Sequence, residues 1–109
     1  MYSIVIKLDP HRLANPNLDL RSVLPDFLEE RSGGLVRDDG YDYGEKTEAM
    51  LVYVTTAHLA EALQIIIDVV ENVEVMGNCL KDAVIVAAGE YDNYQVVYPP
   101  GYPQPFNTD

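Results

Sequence analysis

Nucleophilic catalysis needs a thiol or hydroxyl beside a base, and this chain supplies a single cysteine, Cys79, and two histidines, His11 and His58. A Cys79 and His58 dyad is compatible with that inventory. Against it, His58 falls in the first turn of an expected helix, where a polar residue is ordinary, and a lone Cys commonly acts as a small buried hydrophobe. No nucleophile elbow is present. Gly33-Gly34 follows a helix instead of opening one, which suits a C-cap and not a phosphate cradle. The sequence therefore assigns no catalytic residue and no cofactor.

Carboxylates are the abundant chemistry. Asp38, Asp39, Asp42 and Glu45 crowd together with Gly40 and Gly44, and oxygen ligands at that density can hold Ca²⁺. The spacing fails the EF-hand template, so a solvated hairpin tip is the preferred reading and no metal site is assigned. Two distant histidines and one thiol do not make a zinc site. The same acids are interleaved with Tyr41 and Tyr43, and Glu90, Tyr91, Asp92 and Tyr94 repeat the theme. A tyrosine ring buries apolar area and still offers a hydroxyl, and acidic neighbours select a basic partner. These nine residues (Asp38, Asp39, Tyr41, Asp42, Tyr43, Glu90, Tyr91, Asp92 and Tyr94) are the candidate partner-binding residues. The plainer alternative is that tyrosines favour strands and acids favour turns, with no partner implied.

Net charge narrows the partners. Eighteen Asp and Glu against seven Lys and Arg give −11 over 109 residues. Nine acids and six bases lie in the chain through Lys46, and nine acids with Lys81 alone lie after it. Such a surface repels phosphate backbones and anionic lipid, which excludes nucleic acid and membrane surfaces as partners and suits electrostatic steering toward a cationic protein. No apolar run approaches the length of a membrane-spanning helix, the longest being residues 83–88. The first residues alternate like a strand and lack the pattern of a secretory signal. With one cysteine and hence no internal disulfide, a cytoplasmic location is expected.

These residues must be positioned by a fold, and hydrophobic periodicity outlines it. Tyr2 to Leu8 reads as a strand with Ile4, Ile6 and Leu8 on one face. Asp19 or Ser22 caps a first helix, with Ser22 preferred because Pro25 then falls in the first turn. Gly33-Gly34 ends it. Two strands follow, over residues 35–43 and 46–55, with turn signals at both Asp38-Asp39-Gly40 and Tyr43-Gly44-Glu45. Thr55 or Thr56 caps a second helix carrying Leu59, Ala62, Leu63, Ile66, Ile67 and Val70 on one stripe, ending near Asn72. A short strand over 73–76, a turn at Gly77-Asn78, a doubly covered strand over 83–88 and a last strand over 94–98 complete the order.

Strand, helix, two strands, helix, strand is the ferredoxin-like βαββαβ pattern: an α+β fold with two helices on one face of an antiparallel sheet and an extra C-terminal edge strand. Residues 1–98 form one domain, and 99–109 a Pro-rich extended tail, either tied down by Tyr102 and Phe106 or disordered.

Two functions follow from this reading. The first is a small acidic protein-binding module that occludes a basic partner such as a toxin, in the manner of an immunity protein or antitoxin. That comparison is one of physics and not of sequence. The alternative is a homodimeric ferredoxin-like domain that binds a small molecule or acts as a small enzyme, with Tyr53, Tyr91 or His58 as pocket polar groups. A purely structural subunit, acidic for solubility, would need neither.

Overall fold

The alternation of β1 (Tyr2–Leu8) turns Ile4, Ile6 and Leu8 to one side and Val5 to the other, and all four are buried. A strand covered on both sides has to sit inside its sheet. In the computed structural model, which describes residues 1–44, 48–90, 93–102 and 105–106, β1 is the central strand. It pairs antiparallel with β3 (Met50–Thr56) on one side and β6 (Val84–Glu90) on the other. Beyond these lie β2 (Arg37–Tyr43), next to β3, and β7 (Asn93–Tyr98), next to β6. The order is β2-β3-β1-β6-β7 with every neighbour antiparallel.

Helices α1 (Leu20–Arg31) and α2 (Leu59–Asn72) cover one face, so the chain has the ferredoxin-like βαββαβ arrangement with β7 added at an edge. Ile4, Ile6, Leu8, Val52 and Val54 from the sheet meet Leu20, Leu24 and Leu28 of α1 and Ala62, Ile66 and Val69 of α2. Each fully buried Leu or Ile contributes about 2 kcal/mol relative to its exposed state. A two-residue hairpin of β4 (Glu74–Val75) and β5 (Asn78–Cys79) adds Val75 to the same core.

The two glycines after α1 cap it as the sequence suggests. Gly34 N–H donates to the Glu29 carbonyl at 2.9 Å and Gly33 N–H to the Glu30 carbonyl at 3.1 Å, the paired bonds of a Schellman motif, with both glycines at positive φ. The start of α1 differs from expectation. It begins at Leu20 after Asp19, whose side chain makes no cap bond, and Pro25 lies inside the helix. Leu20 is 0% exposed. Burying it offsets the one helical hydrogen bond that Pro25 cannot donate, so packing and not capping sets the boundary.

Three further corrections have similar causes. The start of α2 falls at Leu59, because the Thr56 hydroxyl accepts from His58 N–H at 3.0 Å and spends itself on a turn before the helix. The β4-β5 turn is Met76-Gly77 and not Gly77-Asn78. Both central residues take positive φ, 52° and 78°, as a two-residue hairpin requires for right-handed strand twist. The Asp38-Asp39-Gly40 signal is a bulge within β2 and not the hairpin turn. That turn follows Tyr43, and Gly44 N–H closes it on the Ala49 carbonyl at 3.0 Å. Strand β3 starts at Met50; Glu45, Lys46 and Thr47 lie outside the described residues.

The face opposite the helices carries a smaller apolar cluster. Val5, Leu51 and Ala87 are buried there, with Tyr53, Tyr94 and Phe106 packed on them. Phe106 meets Tyr94 edge-on at 5.8 Å, so the tail returns over this face. Among the described residues no helix is long and apolar enough to cross a membrane.

Candidate functional site

Strand β2 is an edge strand, and all seven of its residues are exposed. Open edges invite pairing with other chains, and this one is blunted by its own acids. An Asp38 carboxylate oxygen accepts Gly40 N–H at 2.9 Å within the bulge, where Gly40 takes φ 95°. Asp42 accepts Tyr43 N–H at 2.8 Å. Two of the candidate acids therefore serve the strand's own backbone as well as its charge. Asp39 stands exposed between them.

Tyr41 and Tyr43 alternate onto one side of β2 and meet edge-on, with ring centres 5.9 Å apart. Arg21 of α1 holds the pair. Its guanidinium lies 4.8 Å from the Tyr41 ring centre and donates to the Tyr43 hydroxyl at 2.7 Å. The Tyr43 hydrogen bond, with further help from both phenols, pushes the arginine's pKa up, so the cation is permanent. Both rings remain in solvent, Tyr41 49% and Tyr43 38% exposed.

Beside Tyr43 lies a hollow of about 410 Å³ whose apolar wall includes Leu18, Pro16 and Met50 and whose charged wall includes Glu48. Leu18 is 56% exposed. Leu18, Tyr41 and Tyr43 are thus three of the five large apolar side chains exposed among the described residues, and they adjoin one another through Tyr43. Sequence reasoning missed Leu18, because a lone leucine in a Pro- and Asn-rich loop carries no pattern. Asn17 places it: the Asn17 side chain accepts Asp19 N–H at 2.9 Å, and its backbone carbonyl accepts Leu20 N–H at 3.1 Å.

The second acidic segment stands elsewhere. Antiparallel pairing puts Tyr43, Met50, Leu8 and Val84 at one end of the sheet and Thr55, Ser3, Gly89 and Asn93 at the other. Glu90 ends β6 at that second end, across three strand spacings of about 4.8 Å each from β2. Tyr94 is half-buried on the open face, where its hydroxyl lies 3.0 Å from the Ser3 hydroxyl. Tyr91 and Asp92 lie outside the described residues. The seven candidate residues that are described therefore do not share a surface. Asp38, Asp39, Tyr41, Asp42 and Tyr43 lie along the edge strand β2, while Glu90 and Tyr94 lie on β6 and β7, beyond β3 and β1.

A larger cleft of about 860 Å³ opens at the β2-turn end of the sheet, and Glu48 and His11 belong to both hollows. His11 Nε2 lies 3.1 Å from a Glu48 carboxylate oxygen, and Arg12 Nε lies 3.5 Å from Asp9. Lys7, Lys81 and Tyr102 also line the cleft. The Arg12–Asp9 contact is local, but the meeting of His11 with Glu48 and of Lys7 with Lys81 is not readable from the sequence, since only the pairing of Leu8 with both Met50 and Val84 brings those segments together. Of the polar groups expected for a pocket, Tyr53 packs on the open face and His58 precedes α2, both outside this lining, and Tyr91 lies outside the described residues. Cys79 is exposed on β5. Among the described residues no three His, Cys, Asp or Glu side chains converge as metal ligands.

No protein-family model matches this chain, and neither a curated protein nor a solved structure is significantly similar to it.

Proposed function

We propose that this chain is a non-enzymatic binding module that docks a basic partner protein on the β2 corner and occludes the partner's own cationic surface. A cationic toxin held by an immunity-protein or antitoxin type of inhibitor is the kind of partner this fits. The observation that supports the reading is the anatomy of the corner. Leu18 and Tyr43 line a hollow that Glu48 also lines, Tyr41 meets Tyr43 edge-on, and Asp38, Asp39 and Asp42 are exposed along the same edge strand. Interfaces concentrate binding energy on aromatic anchors that are shielded by a polar rim, and a rim of one sign steers the opposite charge onto them. The Arg21 contact holds the two rings in place before any partner arrives, which lowers the ordering cost of binding.

Capture experiments on the full chain test this. A partner retained by the wild type should be lost by Leu18→Ser/Tyr41→Ala/Tyr43→Ala, and should weaken by about tenfold or more with Asp39→Lys and Glu48→Lys. Its affinity should fall as salt rises. A Glu90→Lys variant, altered on β6, should bind as the wild type does. Retention of the same partner by the apolar triple variant, with its circular dichroism unchanged, would refute the assignment of the corner.

A further inference from the structure

Two hollows open at the β2-turn end of the sheet, and their charges differ. The larger sets three Lys and Arg side chains against three carboxylates, a balance that selects neither sign of ligand. The smaller, of about 410 Å³, has Pro16, Leu18, Met50 and Tyr43 in its lining together with His11 and Glu48. Among the described residues, Glu48 supplies the only Asp, Glu, Lys or Arg side chain of that lining. An apolar wall with one carboxylate on it is a mixed surface. The side chains that match such a surface have an aliphatic stem and a cationic head.

Glu48 has a contact of its own, which positions it. His11 Nε2 lies 3.1 Å from one of its carboxylate oxygens, and the Glu48 side chain is still 75% exposed. A carboxylate accepts on both oxygens, so the histidine contact leaves it able to take a further donor. The chain itself shows what the neighbouring tyrosines accept. The Arg21 guanidinium lies 4.8 Å from the Tyr41 ring centre and donates to the Tyr43 hydroxyl at 2.7 Å. Arg21 does not line the hollow, and with the Tyr43 hydroxyl engaged it is the ring that Tyr43 offers there.

We propose that this hollow is the socket for one arginine side chain of the basic partner, with the methylene stem against Leu18, Pro16 and Met50 and the guanidinium donating to Glu48 beside the Tyr43 ring. The inference rests on the corner being the docking surface, and it adds the residue type that the partner inserts. Arginine suits the socket better than lysine does. Its planar fork matches a carboxylate through two parallel N–H bonds, stacks on an aromatic ring, and is more weakly hydrated than an ammonium, so it loses less on leaving water for an apolar wall. The volume lies at the low end for enclosed ligands, which fits one side chain and not a length of folded chain.

Amide chemical-shift titration of the full chain with Nα-acetyl-arginine methylamide tests the socket. The citrulline analogue has the same shape without the charge, the lysine analogue has the charge without the planar fork, and the norleucine analogue has the stem alone. Saturable shifts at Leu18, Tyr43 and Glu48 are expected with the arginine compound, about fivefold weaker binding with lysine, and no saturable shifts with citrulline or norleucine. Glu48→Gln should weaken the arginine compound about tenfold and Leu18→Ser about threefold, while Glu90→Gln leaves its affinity unchanged. All three positions are exposed, so the fold survives each change. The absence of saturable shifts with the arginine compound, equal binding of its citrulline or lysine analogue, shifts centred away from the hollow, or an unaltered affinity in Glu48→Gln would each overturn the proposal. The socket and the corner fail separately. A partner lost by Leu18→Ser/Tyr41→Ala/Tyr43→Ala with no arginine binding removes the socket alone, whereas a partner retained by that variant removes the docking surface and the socket's role with it.

Discussion

Asn78 is 0% exposed, and its side-chain amide acts as a surrogate peptide for the loop that presents Leu18. Its oxygen accepts Asn15 N–H at 2.6 Å, while its nitrogen donates to the Asn15 carbonyl at 2.9 Å and to the Val75 carbonyl at 3.2 Å. Replacing it by alanine removes both bonds to Asn15 and leaves a void in a fully enclosed position. Two hydrogen bonds at about 1 kcal/mol each and the lost packing give a destabilisation of about 3 kcal/mol. For a chain of this size that lowers the melting temperature by about 12 °C or more. Asn78→Asp is the sharper probe. It keeps the acceptor for Asn15 N–H but turns a carboxylate toward carbonyl oxygens, which raises the folded-state pKa of the introduced group above its unfolded value near 4.

A raised acidic pKa makes the unfolded state the weaker proton binder, so stability falls as pH rises from about 4 through the folded value. Urea unfolding of the wild type, Asn78→Ala and Asn78→Asp at a series of pH values reads all of this. The Asp variant should approach the wild type in acid and fall below the Ala variant near neutrality. An Ala variant within about 0.5 kcal/mol of wild type, or an Asp variant whose deficit does not change with pH, would refute the account of Asn78 as the tie between loop and hairpin.

Other consequences are open to simpler measurement. Gly89→Ala should cost about 2 kcal/mol or more in urea unfolding, because an added Cβ would run into the Asn93 carbonyl across the tight β6-β7 hairpin and backbone has to move. Leu20→Ala should cost about 3 kcal/mol while Asp19→Ala costs less than about 0.5, since the leucine is buried and the aspartate makes no cap bond; the opposite order in thermal melts would restore capping as what starts α1. Burial first, then the charges of Glu71 and Asp82, pushes the Tyr98 pKa above its usual value near 10. Ultraviolet difference titration should therefore find one late-ionising tyrosine, absent in Tyr98→Phe. Stability should be unaffected by this group below pH 10 and should fall as pH rises from there through the folded value.

Much of the fold was legible because period-2 and period-3.6 patterns are written in neighbouring residues. Ile4, Ile6 and Leu8 announced a buried strand face, Gly33-Gly34 announced a helix end, and the doubly apolar run from Ala83 announced a central strand. Boundaries were less legible wherever a distant contact outweighed a local preference. The burial of Leu20 extends α1 past the start favoured by Pro25, and the Thr56 hydroxyl caps a turn instead of α2.

For the candidate site, composition alone determined the sign of the field, the scarcity of cations and the presence of acidic tyrosine-bearing segments. Strand order is set by which faces must be buried together, and that is a property of the whole core. Only that order could place β2 and β7 on opposite edges, separate the described candidate residues of β2 from Glu90 and Tyr94, bring Leu18 beside Tyr43, and gather Lys7, Arg12 and Lys81 around one cleft.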